Sequence, residues 1–72
     1  MNTDSVMIHV RFAPNGSVTE IAERPEIASA QKWFDLLTER AGDSFQALSG
    51  GRGVFRISRT AVDEMKAVIA AH

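Results

Sequence analysis

The stretch Phe45-Gln46-Ala47-Leu48-Ser49-Gly50-Gly51-Arg52-Gly53-Val54-Phe55-Arg56-Ile57-Ser58-Arg59 decides how this chain is read. Two short β-prone runs flank a glycine-rich turn, which is the pattern of a β-hairpin. Pairing Ser49 with Val54 sets Leu48 opposite Phe55 and Gln46 opposite Ile57. A four-residue loop from Gly50 to Gly53 and a two-residue turn at Gly51-Arg52 both keep that register. A helix start follows at once. Thr60 is a natural N-cap, with Asp63 three residues on in a variant of the capping box. Asp63 and Glu64 complement the helix dipole, and Val62, Met65, Val68 and Ile69 form the buried stripe.

Upstream, Val6, Ile8, Val10 and Phe12 alternate with Met7, His9 and Arg11. A period of two marks a half-buried strand. Ala13-Pro14-Asn15-Gly16 is a turn: Pro14 presets φ at the first central position and Gly16 can take positive φ. Ser17 to Ala22 returns as a second strand. Pro25 suits the first turn of a helix. Ile27, Ala30, Phe34, Leu37 and Ala41 recur at helical spacing, widened by Trp33 and Leu36. Gly42 is expected to end that helix at C′.

The order is β-β-α-β-β-α. It predicts a two-layer α+β domain over residues 6–72, with a flexible tail over 1–5. Its simplest form is a four-stranded, mainly antiparallel sheet with both helices on one face. The uncovered face should then carry Met7, His9, Arg11, Arg56 and Ser58.

Seventy-two residues build a small core, and a core of this size is marginal without a staple. The chain has no cysteine, so disulfides and thiolate metal sites are excluded. Self-association is the remaining support, which points to a homodimer. No apolar run is long enough to span a membrane, and the N-terminus lacks the pattern of a signal peptide. A cytoplasmic location is expected. The net charge is −1, but it is unevenly spread. Residues 1–43 carry −3 and residues 44–72 carry +2.

Few residues suggest chemistry. His9 has a structured address and could act as a base, but the sequence sets no nucleophile or carboxylate beside it. Ser44, Ser49 and Ser58 lie in no Gly-x-Ser-x-Gly elbow. The glycines at 50, 51 and 53 join two strands, whereas a phosphate loop joins a strand to a helix. No catalysis, cofactor or metal is therefore expected. The expected function is a non-catalytic protein-protein interaction module, acting through Met7, His9, Arg11, Arg56 and Ser58. The alternative is nucleic-acid binding through the Gly50–Gly53 hairpin. In that case Arg52 stands at the tip, and Arg56 and Arg59 lie on phosphates. Trp33 is an interface anchor if it is exposed.

Overall fold

In the computed structural model, residues 5–71 are described. The strands are β1 (Ser5–Phe12), β2 (Val18–Ile21), β3 (Phe45–Leu48) and β4 (Arg52–Ser58). The helices are α1 (Ala30–Ala41) and α2 (Arg59–Ala70), with a 3-10 turn at Gly42–Ser44. The sheet order is β2-β1-β4-β3, and every neighbouring pair is antiparallel. The α+β reading and the element order stand.

The first hairpin forms as its turn chemistry requires. Gly16 N–H donates to the Ala13 carbonyl at 2.8 Å. Gly16 sits at φ 91°, where a side chain is disfavoured. The Asn15 carboxamide oxygen accepts from Ser17 N–H at 3.0 Å, which closes the loop locally. The β1 strand starts at Ser5, one residue earlier than expected, and residues 1–4 lie outside the described residues.

The second hairpin differs in register. Phe45 faces Phe55, Gln46 faces Val54, Ala47 faces Gly53 and Leu48 faces Arg52. This is three residues away from the Leu48–Phe55 pairing that the sequence suggested. The loop is Ser49-Gly50-Gly51, with φ 79° at Gly50 and 72° at Gly51. Gly53 is not in the loop; it is a buried strand residue. The physical reason lies in Phe45. A Cβ at Gly53 would clash with Cζ and Cε1 at the edge of the Phe45 ring. The missing side chain lets that ring lie across the strand and reach the core.

Both helices begin at serines. The Ser29 hydroxyl accepts from Lys32 N–H and caps α1, so Pro25 to Ala28 form a turn outside the helix. Ile27 therefore leaves the stripe and is 64% exposed. Ser58, not Thr60, caps α2 by accepting from Ala61 N–H. Ser58 is the last residue of β4, so one hydroxyl ends a strand and starts a helix. Gly42 takes a right-handed conformation, φ −57°, and leads into the 3-10 turn rather than a left-handed cap.

One core cluster joins the layers. Ile8, Val10, Phe55 and Ile57 come from the central strands, Trp33 and Leu37 from α1, and Val62 and Met65 from α2. Trp33 is fully buried, and its indole N–H donates to the Ala22 carbonyl at 3.1 Å. It is a core residue and offers no interface anchor. The four phenylalanines of the chain, Phe12, Phe34, Phe45 and Phe55, meet with ring centroids 4.9–6.3 Å apart, mostly edge to face. Each such pair adds about 0.5–1.5 kcal/mol beyond its buried area.

Candidate functional site: the arginine-bearing sheet face

Residues paired across antiparallel strands point to the same side of the sheet. The registers therefore arrange the face opposite the core in rows. Glu20, Arg11, Arg52 and Leu48 form one row across all four strands. His9, Val54 and Gln46 form the next, and Met7 with Arg56 a third. Ser5 and Ser58 lie at the end. Met7 is 47% exposed, an unusual position for a large apolar side chain. Val54 is buried despite facing this side, because His9 and Gln46 flank it in register.

Phe12 N–H donates to the Gly51 carbonyl at 2.8 Å, and Ala22 N–H donates to the His9 carbonyl at 3.0 Å. Even residues of β1 therefore exchange bonds with β4, and odd residues with β2. Arg11 and Arg52 are thus a non-hydrogen-bonded pair, the position where opposing side chains come closest. Two arginine side chains leave the sheet from that one cross-strand position, on the two central strands.

The structure shows how each charge is handled. Arg11 Nε lies 3.5 Å from a Glu20 carboxylate oxygen, with both side chains well exposed. Arg52 Nε turns the other way and donates to the Ser49 carbonyl at 3.1 Å. The two arginines lean toward opposite edges. Between them lies a shallow depression of about 240 Å³, lined by His9, Val10, Arg11, Glu20 and Arg52. Arg56 stands further along β4, exposed. Among the described residues, the face therefore holds three arginines and one carboxylate, with His9 among them.

Of the residues chosen from sequence, Met7, His9, Arg11 and Arg56 come together on this face. Ser58 lies at its end, with its hydroxyl committed to the α2 cap. Arg52 belongs to the same face rather than to a loop tip, because it is the first residue of β4. Arg59 does not join it. Its guanidinium binds both oxygens of Glu23, at 2.9 and 3.1 Å, and also reaches Asp63 at 3.5 Å. Lys66 Nζ adds a 2.7 Å bond to Glu23. The hydrogen bonds from Arg59 and then Lys66 hold the Glu23 carboxyl down to about 2, because they favour its charged form. This cluster ties the segment after β2 to α2.

Sequence reasoning missed Glu20 and Val54 on the face and misplaced Arg52. Glu20 alternates imperfectly in a short strand, and Arg52 depended on a register fixed only by Gly53. Among the described residues, no group of three histidine, aspartate or glutamate side chains is placed to hold a metal ion. No described helix is long and apolar enough to cross a membrane. Compared with protein-family models, curated proteins and solved structures, the chain has no match.

Proposed function

We propose that this chain is a non-catalytic protein-interaction module whose arginine-bearing sheet face takes an acidic polypeptide segment. The observation that carries this reading is the Arg11–Arg52 pair. Like charges directly opposite in a sheet are destabilising, and here they occupy the closest-approach position on the central strands. A carboxylate-bearing partner relieves that repulsion and gains charge-assisted hydrogen bonds. Arg56 extends the basic strip, and exposed Met7 beside it offers apolar contact area.

Nucleic acid is the second reading, because Arg11, Arg52 and Arg56 could equally contact phosphates. It is the weaker one. Single-stranded nucleic acids are commonly held by aromatic side chains on which bases stack. Here Phe12, Phe34, Phe45, Phe55 and Trp33 are all in or against the core.

Amide NMR titration separates the two. The probes are a glutamate-rich peptide, an uncharged peptide and mixed-sequence single-stranded DNA and RNA, each at low and physiological salt. The expected result is movement of His9, Arg11, Arg52, Val54 and Arg56 with the acidic peptide, weakened by salt. Arg52→Glu combined with Arg56→Glu should abolish it. Shifts with nucleic acid alone transfer the proposal to the second reading. No shift with any probe at low salt removes both.

A further inference from the structure

We propose that β3 is a docking edge for a second copy of this chain, the two β3 strands pairing antiparallel about Ala47. This goes beyond the sheet-face reading and does not rest on it. The two edges of the sheet are unlike. The β2 edge is defended: its Val18 N–H is bound by the Gln31 side chain at 2.9 Å, and the strand carries the charged Glu20. On the β3 edge the Phe45 N–H is taken by the Gly42 carbonyl, but the strand carries no charge. Phe45-Gln46-Ala47-Leu48 contains no charge and no proline, and Gln46 and Ala47 are exposed. Natural sheets rarely leave an uncharged edge without a partner.

Odd residues of β4 bond to β1, so its even residues bond to β3. Gln46 with Val54 and Leu48 with Arg52 are thus the hydrogen-bonded pairs of the second hairpin. Ala47 then turns both its N–H and its C=O outward. Phe45 turns its C=O outward, while its N–H is already used by the Gly42 carbonyl. Buried or interfacial backbone groups need partners, and a second Ala47 supplies both at once. Pairing about Ala47 gives two reciprocal N–H···O=C bonds on a two-fold axis, the geometry of a self-complementary interface.

Parity fits this register. Opposed residues must face the same side, so Gln46 meets Leu48 of the second copy and Ala47 meets Ala47. The small alanine side chains avoid a clash on the axis. The result is one continuous eight-stranded sheet with the arginine faces of both copies on one side.

The test is sedimentation velocity of the full chain from micromolar to millimolar concentration, with hydrogen exchange read per amide. The wild type should pass from monomer to dimer, and the Ala47 amide should become protected as concentration rises. Ala47→Pro removes the outward N–H without removing a bond to β4. Ala47→Lys keeps the N–H but sets two ammonium groups opposite each other. Each should weaken dimerisation roughly tenfold or more, a loss of about 1.4 kcal/mol. Circular dichroism checks that the variants fold, and the lysine variant decides if the proline one does not. Arg52→Glu with Arg56→Glu should still dimerise, which separates this interface from the sheet face. A wild type that stays monomeric throughout, or folded variants that dimerise as tightly as it does, overturns the proposal.

Discussion

Glu23 holds a left-handed backbone conformation, φ 64°, in a residue that is not glycine. Such a conformation costs about 1–2 kcal/mol for a residue with a Cβ. The carboxylate offsets that cost by bonding Arg59 and Lys66 of α2. Removing the charge while keeping the shape should expose the balance. Glu23→Gln is expected to lower stability by about 1 kcal/mol at neutral pH, since the group is only partly buried. The pH dependence has a definite sign. The folded pKa of about 2 lies below the ordinary value of 4.5. The carboxylate therefore stabilises the fold fully above about 4.5, and that contribution is lost as pH falls toward about 2. Urea midpoints from pH 7 down to pH 3 should converge for the wild type and the glutamine variant. Parallel curves across that range would show that Glu23 is not the group responsible.

Elements obey the same local logic, but the sequence exposes it unevenly. Ser29→Ala and Ser58→Ala should each cost about 1 kcal/mol, because each hydroxyl caps a helix. Thr60→Ala should change stability by less than about 0.5 kcal/mol, as an exposed position inside the first turn. Urea unfolding of the three variants would reveal the opposite order if Thr60 were the true cap. The first strand, its turn and the α1 stripe were readable because alternation, Pro14-Asn15-Gly16 and helical spacing are local signals. The caps were less so, since Ser58 and Thr60 are both good N-cap types two residues apart. The second register was not readable at all. It depends on where one ring lies, and only tertiary packing sets that. Gly53→Ala tests the point: a methyl group driven against the edge of the Phe45 ring should cost about 1–3 kcal/mol through overpacking. A thermal midpoint unchanged by that substitution would return Gly53 to the status of a loop residue.

For the whole molecule, strand order decided what the candidate face became. The sequence supplied Met7, His9, Arg11 and Arg56 by alternation within strands, but alternation cannot say which strands are neighbours. Because β1 lies beside β4, Arg11 meets Arg52 at the closest kind of cross-strand position. A fold selected only for stability has no reason to keep that pair, so a stability–function trade is expected here. Arg52→Gln should raise stability by a few tenths of a kcal/mol. Arg11→Gln should gain less, because it leaves Glu20 without the ion pair seen at 3.5 Å. Salt should act as the second probe. It screens the exposed repulsion within about 10 Å at 0.1 M, so the wild type should gain more from added salt than the Arg52 variant. The same Arg52→Gln change should weaken binding of the acidic peptide. A variant that is more stable and binds less well ties the repulsion to the partner. One that is less stable than the wild type at low salt would mean that the Arg52 contact with Ser49 outweighs the like-charge cost, and the pair would then carry no argument for an acidic ligand.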